Sequence, residues 1–202
     1  KTLLKDLSKL KAEKGDAYKD CTEYWTCFLE YRKLSDRNKT VSILEDLLSK
    51  AIEGSLMKKA GLFFQPLLMR LIKYCSFEES KAFFKNYFGR LDKIERKEER
   101  EKLVSLTLYY LQTYRQGDNL AAILKNIKKS SHYYEYVGSA LQRLVGKKDD
   151  TPNARGLITH CLKYDSAEEL QREISSTAIK EMLKEKLIPL IGEVATEISY
   201  KT

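Results

Sequence analysis

The chain has 202 residues, of which 43% are hydrophobic, and it contains only 3 Pro and 9 Gly. This composition can bury a substantial core and argues against disorder. The charged fraction of 33% is mixed in sign and leaves a net charge of +8, which is typical of solvated helix faces and permits an acidic partner without requiring one.

The N-terminal segment "KTLLKDLSKLKAEKG" alternates Lys with Leu and lacks the apolar centre of a signal peptide. No apolar run in the sequence approaches the roughly 18 residues that a membrane-spanning helix needs. We therefore expect a soluble chain with no membrane partner. Because the sequence begins without Met, we also expect a domain excised from a longer chain.

The cysteines are dispersed among apolar and aromatic neighbours and form no CxxC pair, and they are Cys21, Cys27, Cys75 and Cys161. A reduced thiol in such surroundings behaves as a small hydrophobic group. We expect free, buried thiols in a reducing compartment. This places the protein inside the cell, in the nucleus or the cytoplasm.

Apolar residues recur at helical spacing along the whole chain, and no segment alternates as a strand would. Polar breaks separate the helices in chain order: "KGD", "LSDRNKT", "IEGS", "YCSFEE", "RQGDN", "KKSS", "GKKDDTPNARG" and "YDSAEE". Ser76 and Ser166 each precede a Glu by three residues, which is the spacing of a capping box. The pattern predicts about nine or ten helices, mostly of roughly 12 to 20 residues.

Four segments share one form, in which an apolar helix ends on Tyr and a short polar turn leads into an amphipathic helix. The segments are "CFLEYRKLSDRNKTVSILEDLL", "LMRLIKYCSFEESKAFFKNYF", "LYYLQTYRQGDNLAAILKNI" and "LITHCLKYDSAEELQREI". Their tyrosines, Tyr31, Tyr74, Tyr114 and Tyr164, are separated by 43, 40 and 50 residues. These intervals are close to the period of helical-hairpin arrays. The longest one contains "GKKDDTPNARG", which we interpret as a loop insertion.

The second helix of these units pairs a small residue with a bulky one, as in Ala82 with Phe83 and Ala121 with Leu124, and "EYWTCFLEYRKL" carries a Trp with helically spaced aromatics. Over most of residues 18–175 this pattern resembles the tetratricopeptide and half-a-TPR class of α-solenoid proteins. The period exceeds the usual 34 or so residues of that class, so HEAT-like hairpins fit the spacing better. The resemblance implies scaffolding and partner binding, and no individual binding residue is transferred.

We therefore expect one all-α domain over residues 1–202, in which antiparallel helical hairpins stack into a short right-handed α-solenoid. The first and last helices would cap the array. The expected function is a non-enzymatic protein–protein interaction scaffold, a subunit of a larger intracellular assembly, with a concave or edge groove that takes an apolar helix or a linear peptide segment of a partner protein. Basic residues near the groove would steer an acidic partner.

Signatures of catalysis and of metal binding are missing from the sequence. It contains no GxSxG, HExxH or phosphate-binding glycine loop. The two histidines are His132 and His160. His160 adjoins Cys161, but adjacent helical side chains point about 100° apart, and no second Cys or His pair lies at zinc-finger spacing. We expect no enzymatic activity, no metal and no cofactor.

The segment from Lys125 to Arg155 holds seven basic and three acidic residues, a net charge of +4. Basic side chains beside exposed aromatics can hold phosphates and stack bases, so nucleic-acid binding by this segment is the alternative function. Tyr133 shares one helix face with Val137, Ala140, Leu141 and Leu144, whereas Tyr134 points elsewhere and is expected to be exposed. The aromatic residues expected in the interior are Trp25, Phe28, Phe83 and Tyr110. The candidate binding residues are Lys125, Lys128, Lys129, His132, Tyr134, Lys147, Lys148 and Arg155.

Overall fold

The computed structural model describes residues 42, 68–73, 76–91, 93–146 and 151–201. Contacts divide the chain into two compact units, Lys1–Phe83 and Phe84–Thr202, and each is described by itself. In the first unit residues 68–73 are helical, and Leu68, Leu71 and Ile72 are buried.

Seven helices have defined bounds in the described residues, and those residues contain no strand. The helices are α1 (Phe77–Leu91), α2 (Lys97–Thr113), α3 (Gly117–Ile127), α4 (Tyr133–Val145), α5 (Thr151–Cys161), α6 (Ala167–Ser176) and α7 (Glu181–Ser199). The predicted all-α class is confirmed for this part of the chain. The predicted total of nine or ten helices, and the positions of Trp25, Tyr31 and Tyr74, depend on residues outside it.

Helix ends follow local chemistry. The Ser166 hydroxyl accepts a hydrogen bond from the Glu169 backbone N–H at 3.1 Å, which caps α6 as its sequence predicts. Pro152 lies in the first turn of α5, where its missing N–H costs no helical hydrogen bond. The assignment of 146–156 to a loop insertion is therefore wrong, because the helix already begins at Thr151.

The turn between α2 and α3 is a Schellman motif centred on Arg115. The backbone N–H of Arg115 donates to the Gln112 carbonyl at 3.1 Å, and that of Gln116 donates to the Leu111 carbonyl at 2.9 Å. Arg115 has φ of 57°, a left-handed conformation that Gly adopts without strain. The predicted break at "RQGDN" is confirmed, and α3 resumes directly at Gly117.

The helices of the second unit pack in a regular order. Consecutive helices pack as the pairs α2–α3, α4–α5 and α6–α7. Next-but-one helices pack as α2–α4–α6 and as α3–α5–α7, and the contact of α2 with α4 is the most extensive. The first helices of the three pairs begin at Lys97, Tyr133 and Ala167, which are 36 and 34 residues apart.

Helices α2 and α4 lie side by side and run in the same direction. Near their starts, Lys97 Nζ lies 3.4 Å from a Glu135 carboxylate oxygen, and Arg100 Nε donates to the Tyr136 hydroxyl at 3.1 Å. Further along both helices, Ser105 and Gln142 line one cleft. Helix α3 connects them in the chain and runs back from the end of α2 towards the start of α4.

Helix α4 supplies the centre of the core because it packs against α2, α5, α6 and α7. Its predicted apolar face is confirmed, and all five residues are buried: Tyr133, Val137, Ala140, Leu141 and Leu144. Phe83 is buried as predicted, whereas Tyr110, predicted to be interior, is half-buried. Between α1 and α2 the buried hydroxyls of Tyr87 and Thr107 are hydrogen-bonded at 2.8 Å.

The two repeat tyrosines that the structure describes, Tyr114 and Tyr164, do not mark equivalent turns. Tyr114 follows α2 and leads into α3, which packs on α2. Tyr164 lies between α5 and α6, which share few contacts in the described structure. The 50-residue interval between them contains three helices, α3, α4 and α5, rather than a hairpin with an enlarged loop.

Arg115→Gly should stabilise the chain by about 0.5–1 kcal/mol. Gly adopts the left-handed conformation without the steric strain that a side chain causes there, and this gain exceeds the cost of the greater conformational entropy that Gly gives the unfolded chain. Urea denaturation measures the difference. The matched control is Arg143→Gly within α4, which should destabilise by about 1 kcal/mol. A loss of stability in Arg115→Gly would contradict the turn conformation.

Candidate functional site

The structure places the predicted binding residues in different environments. Lys125 and Lys129 are exposed, while Lys147 and Lys148 lie outside the described residues. The other four, Lys128, His132, Tyr134 and Arg155, make hydrogen bonds or ion pairs within the chain. The described basic segment is therefore not one open cationic surface.

Lys128 and Tyr134 belong to a cluster around the buried carboxylate of Asp165, whose side chain is 0% exposed. We define the Asp165 cluster as Lys128, Tyr133, Tyr134, Asp165 and Glu169. The Lys128 ammonium is hydrogen-bonded to Asp165 Oδ1, and the Tyr133 hydroxyl donates to Oδ2 at 2.8 Å. The Tyr134 hydroxyl lies 3.1 Å from Oδ1 and 2.9 Å from a Glu169 carboxylate oxygen. A buried carboxylate is thus fully partnered.

Two aromatic rings flank the cation of this cluster. Lys128 Nζ lies 4.6 Å from the ring centroid of Tyr133 and 4.8 Å from that of Tyr134, within the range of cation–π attraction. It also donates to the Tyr134 hydroxyl at 2.9 Å. The prediction that Tyr134 is exposed is wrong: the ring is half-buried because it packs on Lys128 and directs its hydroxyl to the carboxylates.

The cluster shifts the pKa values of its members. Burial alone lowers the pKa of Lys128, but hydrogen bonds to Asp165 and Tyr134 outweigh it, and the pKa rises above its ordinary value. Burial raises the pKa of Tyr134 to about 12. The hydrogen bond from Lys128 lowers this pKa, while Glu169 and Asp165 raise it further. The pKa of Tyr133 is also raised, mainly by burial. The folded cluster therefore favours protonated Lys128 and neutral tyrosines.

Cys161 lies beside Tyr133 of this cluster and is buried and free, as the sequence predicts. Burial raises the pKa of its thiol to about 12, so the thiolate that nucleophilic chemistry needs is scarce at neutral pH. Cys21, Cys27 and Cys75 lie outside the described residues.

Arg155 joins α5 to the C-terminal half of α7. Its guanidinium donates to Glu193 at 3.0 Å and also to Glu197. His160, at the other end of α5, lies against Gly117, and burial lowers the pKa of its imidazole.

A cleft of about 340 Å³ separates the exposed edges of α2 and α4. Both helices contribute polar and charged side chains, which are Glu98, Glu101, Lys102, Ser105, Ser139, Gln142 and Arg143. The cleft can accept hydrogen bonds and charges of either sign. None of its residues was a candidate from the sequence, because their spacing on two separate helices carries no motif.

His132 lies near one end of this cleft with two carboxylates. Its Nδ1 is 2.7 Å from a Glu135 carboxylate oxygen, and Glu101, which also lines the cleft, completes a group whose donor atoms lie within 4.8 Å of one another. His132 is therefore paired with acidic residues and does not extend the basic segment.

No described helix is both long and apolar enough to cross a membrane. Comparisons with protein-family models, curated proteins and solved structures found no match to this chain.

Lys128→Met should lower the free energy of unfolding by about 1–3 kcal/mol, because it leaves the buried Asp165 carboxylate without its cation. The loss should be smaller than for a fully buried pair, since 28% of the Lys128 side chain is exposed. Urea denaturation tests this, with Lys125→Met on the exposed face of α3 as the control, expected within about 0.5 kcal/mol of the wild type. Equal effects of the two variants would show that the pair contributes no stability.

The free energy of unfolding should fall as the pH rises from about 10 to about 12. Tyr134 has an ordinary pKa of 10.0 and a folded pKa of about 12, so its contribution is complete below pH 10 and is lost as the pH rises through the folded pKa. Lys128 acts in the same direction. Denaturation at several alkaline pH values should give a shallower decline for Tyr134→Phe than for Tyr200→Phe, the control at an exposed tyrosine.

Proposed function

We propose that this chain is a non-enzymatic protein-interaction module, a subunit of a larger intracellular assembly, that holds a segment of a partner protein in the cleft between α2 and α4. The cleft is the observation that carries the proposal. Two parallel helices line it with charged and hydrogen-bonding side chains, and its volume of about 340 Å³ suits a few residues of an extended segment rather than a large cofactor.

The packing order supports a stacked-hairpin architecture. In such arrays the first helices of successive hairpins form one row and the second helices another, and the α2–α4–α6 and α3–α5–α7 contacts follow this order, although the end of α5 rather than its start meets the start of α3 at Gly117. The intervals of 36 and 34 residues between first helices are close to the tetratricopeptide period of about 34. We therefore favour a short right-handed α-solenoid with tetratricopeptide-like rather than HEAT-like spacing.

The last hairpin fits a terminal cap. Helix α7 buries Leu183, Leu187 and Ile191 on one face and exposes charged residues such as Glu185 and Lys186 on the other. Its C-terminal half lies against the first half of α5, where Arg155 pairs with Glu193 and Glu197. Helix α7 therefore lies across α5 instead of parallel to it. A polar outer helix is what closes such an array against water.

The cleft favours a partner segment with both polar and acidic groups. Lys102 and Arg143 can pair with carboxylates, while Ser139 and Gln142 can bond to a peptide backbone. Glu98 and Glu101 would repel a uniformly acidic segment, which limits binding to segments whose charges match the position of each side chain.

Nucleic-acid binding by residues 125–155 remains a prediction, but the geometry favours it less. Phosphate contacts need cations that are free to release counterions. Lys128 and Arg155 are instead paired with carboxylates, and the Tyr134 ring packs against Lys128. Lys125 and Lys129 are exposed and would carry any such binding.

A photo-cross-linking residue at Gln142, inside the cleft, should capture a specific partner protein in the native cell, and mass spectrometry should identify it. The matched control is the same residue at Glu185, on the exposed face of α7. Capture should persist after nuclease treatment and be reduced by Arg143→Glu.

Equal capture from both positions, or none from Gln142, would contradict the cleft as the binding site. Capture that nuclease abolishes would favour the nucleic-acid alternative, and Lys125→Glu with Lys129→Glu should then remove it.

A further inference from the structure

Three side chains that commonly bind metals converge where α2 meets the start of α4. Glu101 comes from α2, His132 immediately precedes α4, and Glu135 lies in its first turn. One donor atom from each lies within 4.8 Å of the other two. The residues are separated by 31 and 3 positions in the chain, so only the parallel packing of the two helices brings them together.

The Glu101 carboxylate is incompletely partnered. Its Oε1 atom is buried and has no hydrogen bond in the structure. The Lys97 ammonium lies 3.4 Å from this same atom, an ion-pair distance longer than a charge-assisted hydrogen bond. Lys97 lies equally far, 3.4 Å, from Glu135, so one ammonium is shared loosely by two carboxylates.

We propose that Glu101, His132 and Glu135 form a Zn²⁺ site that links α2 to the start of α4 at the end of the cleft. One imidazole nitrogen and two carboxylate oxygens are zinc ligands, and a fourth position would be left for water or for a donor from a bound partner. Donor atoms of a tetrahedral zinc site lie about 3.3 Å apart, given zinc–ligand distances near 2.0 Å. The donors here bracket that spacing, at 2.7 Å for His132 and Glu135 and up to 4.8 Å overall.

Lys97 and the metal would compete for the same carboxylates. Lys97 holds its ammonium 3.4 Å from Glu101 and 3.4 Å from Glu135. Its side chain is 52% exposed and can move into water when a divalent cation enters. Removing the lysine charge should therefore strengthen zinc binding, whereas a merely structural ion pair predicts no such gain.

The ligand set selects among cations. A nitrogen donor with two carboxylates suits Zn²⁺, while Ca²⁺ prefers six to eight oxygen ligands and Mg²⁺ retains most of its water. We expect binding of Zn²⁺ and no comparable binding of Ca²⁺ or Mg²⁺.

The experiment is isothermal titration of ZnCl₂ into the metal-free full chain, together with thermal melts with and without zinc. His132→Ala should weaken the zinc affinity by at least about tenfold. It should also abolish the zinc-dependent rise in Tm. Glu98→Gln is the matched control, because Glu98 lines the cleft without belonging to the donor group, and its affinity should match the wild type. Lys97→Met should bind zinc more tightly than the wild type.

Glu101→Gln serves as a second ligand variant if His132→Ala fails to fold, and it should show the same loss. Absence of zinc binding to the wild type would overturn the proposal. So would zinc binding that both ligand variants retain, because the metal would then lie elsewhere, for example at cysteines. These outcomes leave the proposed partner binding untouched, since cross-linking at Gln142 tests it without zinc.

Discussion

The parallel packing of α2 against α4 is the contact on which the rest of the second unit depends. Consecutive helices joined by a short turn run in opposite directions, so two parallel neighbours require a third helix to bring the chain back, and α3 does this. The same packing buries the apolar face of α4, creates the cleft between the two helices, and brings Glu101 beside His132 and Glu135. Architecture, candidate groove and candidate metal site thus have one structural origin.

A buried charge sets a second constraint. The carboxylate of Asp165 has no exposed surface, and an isolated ion there would be very costly, so it binds Lys128 and two tyrosine hydroxyls. These bonds connect the turn before α4 and the first turn of α4 to the turn before α6. They also occupy Lys128 and Tyr134, which is why the described part of the basic segment is not an open basic surface.

The sequence predicted what depends on local spacing: the helical class, the buried face of α4, the cap at Ser166 and the burial of Cys161. It did not predict which helices form pairs. Tyr114 and Tyr164 occur in similar sequences, but the helices on either side of Tyr114 pack on each other, whereas those on either side of Tyr164 share few contacts. Nor could it find the cleft or the Glu101 group, since their members meet through packing across two helices. The net charge of the segment includes Lys128 and Arg155 as cations that could bind phosphate. In the structure both are paired with carboxylates that lie more than 35 positions away in the chain.

Distances measured by double electron–electron resonance would test the parallel packing of α2 and α4 most directly. Spin labels are attached through an unnatural ketone side chain, which avoids the native cysteines. They are placed near the starts of α2 and α4, at Arg96 and Ser131, and near the ends of these helices, at Arg115 and Arg143. All four positions are exposed. Parallel packing predicts that the start–start and end–end pairs are both shorter than the crossed pairs, since α2 alone is about 25 Å long. Crossed pairs shorter than the like pairs would mean antiparallel helices, and would contradict both the packing order and the cleft that depends on it.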